Sequence, residues 1–395
     1  MSANAGPLAG LKVVDLADSS GVYGSKALSD LGADVTRVEP PAGDPLRARG
    51  PFLGELEGPD RSLYFSFMNT SKSSVVIDHA TPEGRDALHR LALGSDIVYF
   101  SGEAADYDAL GLAQLRETTS SLVVVSVTPF GLTGPRRSWR GSDLTAWAAG
   151  GLALICGDPD RAPLAPAPAA ELAYVAAGQL AALAAVAAAR QAKRTGVGQE
   201  VDVSVQESVL AMSGESGIIT GFLDDLIPRR RCGSRRSTTA PFGHYPAADG
   251  FAAVMAPMPS HWEALSAWIH EVTGNDSVLD PALKGGPQAR AGDMADVVAV
   301  FTEEFSAKLT RQELFTEGQR RGIPITPVND AASVLADPYL EESGFWAELE
   351  VDGDKVRSPG APYRFSRSAW KPGSAPRMAD RRDVTEPFRD RFPGP

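Results

Sequence analysis

In the first half of the chain, short apolar runs alternate with stretches in which apolar residues return every third or fourth place. Leu11-Lys-Val-Val-Asp-Leu16 is a β-rich run, followed by the turn-forming Asp18-Ser-Ser-Gly21 and a helical stretch from Gly24 to Leu31. Gly32-Ala-Asp34 closes that helix, and Val35-Thr-Arg-Val-Glu39 reads as the next strand, completing a βαβ unit. A second unit is written as Ser73-Ser-Val-Val-Ile-Asp78, a helix from Pro82 to Leu93, and Asp96-Ile-Val-Tyr-Phe100, and Leu122-Val-Val-Val-Ser-Val127 adds a buried strand. This alternation predicts an α/β fold with a Rossmann-like parallel sheet covered by helices, and ligands at the carboxyl ends of its strands. No GxGxxG or GxxxxGK[ST] follows the first strand, which argues against a nicotinamide or nucleoside triphosphate enzyme.

The longest apolar tract, Leu172 to Ala189, is mostly alanine, contains Tyr174, Gly178 and Gln179, and runs into Arg190, so it reads as a buried helix and not a membrane span. Arg194-Thr-Gly-Val-Gly-Gln-Glu200 is then a turn, and Val201-Asp-Val-Ser-Val205 an alternating strand. Residues 228 to 243 change composition sharply, with Arg229-Arg230-Arg231 and Arg235-Arg236 among small polar residues, and mark a linker or loop. The expected division is a large domain over 1–225, a smaller α/β domain with its linkers over 226–330, and a return to the large domain over 331–395. The smaller domain holds a strand at Phe251-Ala-Ala-Val-Met255, helices around Trp262 to Val272, 293 to 306 and 310 to 321, and an extended Ile323-Pro-Ile-Thr-Pro-Val328. The tail from about 370 is rich in Pro, Arg and Asp and is expected to wrap over a surface.

A chain of 395 residues exceeds the roughly 250–300 at which a single core stops growing, in keeping with two lobes. The formal net charge of −12 disfavours nucleic acid or an anionic membrane as the main partner, so an anionic ligand must be met by local cations. Cys156 and Cys232 lie far apart and outside any CxxC or Cys/His cluster, which argues for a reducing, cytoplasmic setting and against a structural metal. The first residues carry no basic segment leading into an apolar stretch, so no signal peptide is expected. HExxH, GxSxG and carboxylate-rich metal motifs are absent from the sequence, which leaves hydrolase and metal chemistry without support.

Taken in order, several blocks resemble the class III CoA-transferase family, which includes formyl-CoA and carnitine CoA-transferases and α-methylacyl-CoA racemases. They are Pro7 to Leu16, Leu28-Ser-Asp-Leu-Gly-Ala-Asp-Val-Thr-Arg-Val-Glu-Pro40, Gly43-Asp44 with Arg47, and Asn69-Thr-Ser-Lys72 through Asp78. Pro129-Phe-Gly-Leu-Thr-Gly-Pro135, Thr195 to Asp202, Pro241-Phe-Gly-His-Tyr-Pro-Ala-Ala-Asp-Gly250 and Asp337-Pro338 continue the match along nearly the whole chain. The resemblance implies an interlocked, ring-like homodimer with a Rossmann-like large domain, and coenzyme A as acyl carrier. It also implies transfer of CoA between an acyl-CoA and a carboxylic acid. In such transferases an aspartate attacks the thioester to form a mixed anhydride, which requires a carboxylate in a water-poor pocket.

That aspartate lies four residues before a glycine of the alanine-rich helix, and with Gly178 as the glycine the matching residue here is Tyr174. A phenol with an ordinary pKa near ~10 is a poor substitute nucleophile. Glu171 stands one helical turn earlier and is a candidate displaced nucleophile or base, or else a solvated first-turn residue. Tyr174 is a candidate donor to the thioester oxygen, or a packing residue. The racemase histidine is replaced by Ser142, while Asp143 matches the family as a base or as a helix-terminal residue bonding backbone amides. For coenzyme A, the family resemblance points to Arg37, Arg47, Lys72 and Arg140, with Ser20 near the reacting groups. Glu103 and Ala109 stand where family members contribute cations. The arginine cluster is a further candidate for anions, and His244 for the active site. Trp147, Leu152 and Leu154 would suit a bulky or aliphatic acyl chain, or belong to the core.

The leading expectation is an acyl-CoA-utilising transferase with a non-standard active site. Two alternatives stand beside it. One is a CoA-thioester lyase or isomerase using α-proton chemistry through Asp143, Glu171 or Tyr174. The other is a catalytically silent subunit paired with an aspartate-bearing paralogue in a mixed dimer.

Overall fold

The structure is a computed structural model that describes residues 6–164, 171–212, 233–236, 238–368 and 372–382. The chain divides into two compact units, one formed by residues 1–152, 165–227 and 339–395, the other by 153–164 and 228–338.

The first unit is built on a six-stranded sheet of β1 (Lys12–Leu16), β2 (Asp34–Glu39), β3 (Ser73–Val76), β4 (Ile97–Ser101), β5 (Val123–Thr128) and β6 (Glu200–Ser204). All neighbours are parallel, in the order β3-β2-β1-β4-β5-β6. Every residue of β4 and β5 is buried, because helices cover both faces, and this is why these runs are continuously apolar. The edge strand β6 alternates between more exposed and less exposed positions, matching its alternating sequence. Strand order reverses direction at β1, between β2 and β4, and the crevice above such a point is where open parallel sheets bind ligands.

Two helices meet over this point. The first helix, Val22–Asp30, packs on the alanine-rich helix, Leu172–Thr195. The latter is long and apolar enough to cross a membrane by length and composition. Its buried face of Ala173, Ala177, Ala181, Ala185, Ala188 and Ala192 nevertheless belongs to the sheet's own core, as the sequence predicts. At the crossing, a Cβ on Gly24 would lie 2.4 Å from the Gly178 carbonyl oxygen, and one on Gly178 would lie 2.9 Å from the Gly24 nitrogen. Only glycines allow the two backbones this close.

Residues 347–358 form a hairpin, Ala347–Val351 with Asp354–Ser358, that the sequence reading did not assign. Its turn is Asp352-Gly353, both at positive φ (50° and 89°), the Asp-Gly turn that suits two-residue hairpins. The tail then runs along the outer edge of β3, where Arg382 exchanges backbone hydrogen bonds with Ser74 and Val76 at 3.0 and 3.2 Å. The described tail thus lies over a surface, as expected.

The second unit has a three-stranded antiparallel sheet of Phe242–Ala247, Gly250–Met255 and Ile325–Pro327. Helices Pro259–Thr273, Asp293–Ser306 and Arg311–Arg320 accompany it. Trp262, Leu265, Ile269, Val298 and Phe305 fill its core, and Arg290 is fully buried with its guanidinium donating to four backbone carbonyls.

Candidate active site

β1 ends at Leu16, and the chain turns through Asp18-Ser19-Ser20 into the first helix, whose early amides Gly21 and Val22 bond the Asp18 carbonyl. This loop leaves the Asp18 side chain exposed at the carboxyl end of the sheet's central strand. One of its carboxylate oxygens, Oδ1, accepts from the Ser20 amide at 2.8 Å, from the Ser20 hydroxyl, and from the Ser101 hydroxyl at 2.7 Å. Oδ2 has no hydrogen-bond partner among the described residues. Ser20 is itself buried, so its observed part is to orient Asp18.

Tyr174 lies one turn before Gly178 on the alanine-rich helix and is half-buried. Burial, reinforced by the negative charges of Asp18 and Asp143, pushes its phenol up to about 12, so it is protonated at neutral pH. Asp143 begins the helix Asp143–Ala149, which Ser142 and Thr145 close with a reciprocal capping box. With that cap in place, Asp143 reaches to the other helix, where its Oδ1 accepts the backbone N–H of Tyr174 at 3.0 Å. It thus bonds a helix-terminal amide, as one of its sequence readings had it, but on a neighbouring helix.

Glu171 is the residue that precedes the alanine-rich helix, and its backbone is left-handed at φ 41° and ψ 44°. The conformation is unusual outside glycine and costs of order 1–2 kcal/mol. It turns the side chain away from capping its own helix. The carboxylate instead pairs with Arg49 at 2.7 Å and accepts from the Tyr64 hydroxyl at 2.8 Å, and the residue is only 9% exposed. The sequence reading of Glu171 as a solvated first-turn residue is therefore corrected. The Arg49 guanidinium stacks on the Tyr64 ring at 3.9 Å, closing a three-membered set. Burial and the Glu171 bond push the Tyr64 phenol well above its ordinary range.

The cations expected to meet coenzyme A are arranged otherwise. Arg37 pairs with Asp44 and with Asp15 at 3.2 Å, Lys72 with Asp15 at 2.8 Å, and Arg47 with Glu39 at 2.7 Å and Asp60 at 2.9 Å. None of the three is more than 4% exposed. They form a buried ion-pair lattice among the first strands and are turned inward, so the expected coenzyme A ligands Arg37, Arg47 and Lys72 are found paired internally instead of presented to a ligand. Burial would raise the Asp15 carboxyl, but Lys72 and Arg37 beside it hold it below its usual range. Burial and the like charge of Arg37 bring Lys72 down to about 8 against the pull of Asp15. Arg140, by contrast, is an exposed side chain 3.6 Å from Glu103, so the cation and the charge reversal noted in the sequence face each other. Of the arginine cluster, Arg235 pairs with Glu303 and lies over Tyr245, and Arg236 lies over Phe242. Arg229, Arg230, Arg231 and Cys232 lie outside the described residues. His244 is exposed on its strand. No group of three or more His, Cys, Asp or Glu side chains placed to hold a metal occurs among the described residues.

The sequence profile of CoA-transferase family III matches residues 8–380. This chain belongs to that family. It is 34% identical to a succinyl-CoA:(R)-benzylsuccinate CoA-transferase subunit of Thauera aromatica, over 93% of this chain and 91% of the relative. It is 30% identical to a succinate–glutarate CoA-transferase of Agrobacterium fabrum, over 93% of each. A CaiB/BaiF family protein of Brucella suis superposes with a TM-score of 0.80 at 28% identity, covering 94% of this chain and 96% of that one.

Within this family III chain, then, Tyr174, Asp143 and Glu171 converge, as shown by the Asp143 bond and by the charges acting on Tyr174. Sequence reasoning passed over Asp18, Arg49 and Tyr64. Asp18 was legible in principle, since it is the acidic residue in the turn that follows the first strand of a parallel sheet, where functional groups gather. Arg49 and Tyr64 carry no comparable signal, because only the fold brings them against Glu171.

Proposed function

We propose that this chain transfers coenzyme A between an acyl-CoA and a carboxylic acid of the dicarboxylic type, with Asp18 as the nucleophile that position 174 no longer supplies. The observation that carries this reading is the Asp18 carboxylate, with one oxygen fixed by three donors and the other open beside Tyr174. Glu171 has both oxygens engaged, by Arg49 and Tyr64, and Asp143 holds the Tyr174 amide through Oδ1. Among the described residues Asp18 and Asp143 each keep an open Oδ2, and Asp18 is the more exposed of the two. The relatives' substrates, succinyl-CoA with benzylsuccinate and succinate with glutarate, supply the acyl class.

In the proposed reaction Asp18 Oδ2 attacks the thioester carbonyl carbon, the C–S bond breaks, and CoA leaves as thiolate, giving an acyl-aspartyl anhydride. The acceptor carboxylate displaces the first acid from the enzyme carboxyl. The thiolate then attacks the new acyl carbon and restores the Asp18 carboxylate. The Tyr174 phenol, protonated at neutral pH, serves as a donor to the carbonyl oxygen as negative charge develops there. Arg37, Arg47 and Lys72 serve the frame, and Arg140 is the exposed cation for the CoA phosphates.

Trapping tests the assignment. After incubation with succinyl-CoA and hydroxylamine, peptide mass analysis is expected to find a hydroxamate at Asp18, and Asp18→Asn should lower CoA exchange by at least about 10³-fold. α-Deuterium wash-out without acyl transfer would instead indicate lyase or isomerase chemistry.

A second reading is favoured by Tyr174 and by the likeness to a transferase subunit: a silent partner in a mixed dimer with an aspartate-bearing paralogue. In that case the purified chain forms no adduct, and exchange appears only when the paralogue co-purifies.

A further inference from the structure

We propose that Arg49 reads the distal carboxylate of a dicarboxylic acyl group, with Glu171 as its resident counter-ion until that carboxylate arrives. The inference rests on the CoA-transfer reading and names what selects the acyl chain. A monothioester of a dicarboxylic acid keeps one carboxylate, with an ordinary pKa near ~4, and is therefore anionic at neutral pH. The site it must enter is already negative, with Asp18, Asp143 and Glu171 all acting on Tyr174. A second anion there needs a cation.

Arg37, Arg47 and Lys72 are buried and committed to internal carboxylates, and Arg140 stands in solvent beside Glu103. Arg49 differs from all four. Its side chain is one-third exposed, at 33%, and it touches Glu171 through Nη1. Its Nε and Nη2 have no hydrogen-bond partner among the described residues. That free edge is a two-pronged donor whose spacing matches a carboxylate.

The guanidinium is also held in orientation before any ligand binds. Stacking on Tyr64 at 3.9 Å fixes its plane, and Tyr64 is tied to the other Glu171 oxygen at 2.8 Å. A preoriented fork loses less conformational freedom on binding than a free arginine. The left-handed backbone at Glu171 serves the same arrangement, since it directs the carboxylate to Arg49 instead of to its own helix. Arg49 thus has one side neutralised and one side open, and Tyr64 lies within the electrostatic reach of both Arg49 and Asp18. In the proposed pose a four-carbon acyl group keeps its thioester carbon at Asp18 and its far carboxylate on the open edge of Arg49.

The test compares succinyl-CoA with butyryl-CoA, acyl groups of equal length that differ in the distal carboxylate, by calorimetric titration of the full chain. The wild-type chain is expected to prefer succinyl-CoA by roughly ten- to hundredfold, the range of a charged hydrogen-bonded contact. Arg49→Gln should abolish that preference by weakening succinyl-CoA alone, and retained butyryl-CoA binding shows that the variant is folded. Glu171→Gln should strengthen succinyl-CoA binding, because the guanidinium is no longer shared. A preference that survives Arg49→Gln, or equal weakening of both thioesters, overturns the role of Arg49. Failure of the wild-type chain to bind either thioester would overturn the CoA reading itself.

Discussion

Two sets of ionised side chains lie in the sheet-bearing unit, one deep among its first strands, the lower set, and one nearer solvent at its carboxyl edge, the upper set. In the lower set, Asp15, Glu39 and Asp44 face Arg37, Arg47 and Lys72, and every member is nearly or wholly out of water. In the upper set, Asp18, Asp143 and Glu171 act together on Tyr174, and of the three only Glu171 meets a cation among the described residues, the partly exposed Arg49. The residue types are the same, and the balance of charge and solvent separates framework from site. Burying an ion is tolerable only when its partner is buried with it, so the lower set is closed. Excess negative charge and open oxygens make the upper set receptive.

The largest effect is expected from opening the lower set. Arg47→Ala leaves Glu39 buried without its counter-ion and removes the guanidinium stacked on Phe65 at 3.9 Å. Stability should fall by roughly 3–5 kcal/mol, read as a lower urea midpoint at unchanged slope. A comparable loss on truncating Arg49 would erase the distinction between the sets.

Acid sharpens the comparison. Burial would raise the Glu39 carboxyl, but the bonds from Arg47 hold it below its ordinary 4.5, and Asp15 is likewise held below 3.8. A folded-state pKa below the unfolded value means the unfolded chain binds protons first. The stability these groups contribute is therefore complete above the ordinary values and is lost as pH falls through the folded ones. Denaturation midpoints should decline below the ordinary carboxylate range, and Glu39→Gln, although less stable at neutral pH, should show a shallower decline.

The smallest effect belongs to Tyr174→Phe. The phenol is already protonated at neutral pH, so the variant loses one donor and keeps the ring. Exchange should drop by roughly 10²-fold, the loss of one donor to the developing oxyanion, and stability should change by under about 1 kcal/mol, measured by steady-state assay and thermal melting. A loss as large as that of Asp18→Asn would make Tyr174 the central group.

The sheet was legible because its central strands β4 and β5 read as nearly continuous apolar runs and its edge strand β6 as an alternating one, with the β-rich runs between helices marking the rest. The hairpin at 347–358 was not assigned, although its Asp352-Gly353 turn is a readable signal. Tyr174 and Asp143 were picked out through the family pattern and Glu171 by its place one turn before Tyr174, and the fold brings the three together. Motif position says nothing about burial: Arg37, Arg47 and Lys72 occupy the family places and lie buried in internal ion pairs. Arg49 and Tyr64 lie far from Glu171 in sequence, and such long-range pairings leave no periodic trace.

The contact between Gly24 and Gly178 has an evolutionary consequence. Because the two backbones are fixed there, the residue one turn earlier projects from an unchanging mount, whatever its identity. Tyrosine and aspartate codons differ by a single base, so one mutational step can exchange a phenol for an acid at position 174 without remaking the architecture. Gene duplicates in such a lineage are free to diverge in chemistry while remaining interchangeable in shape.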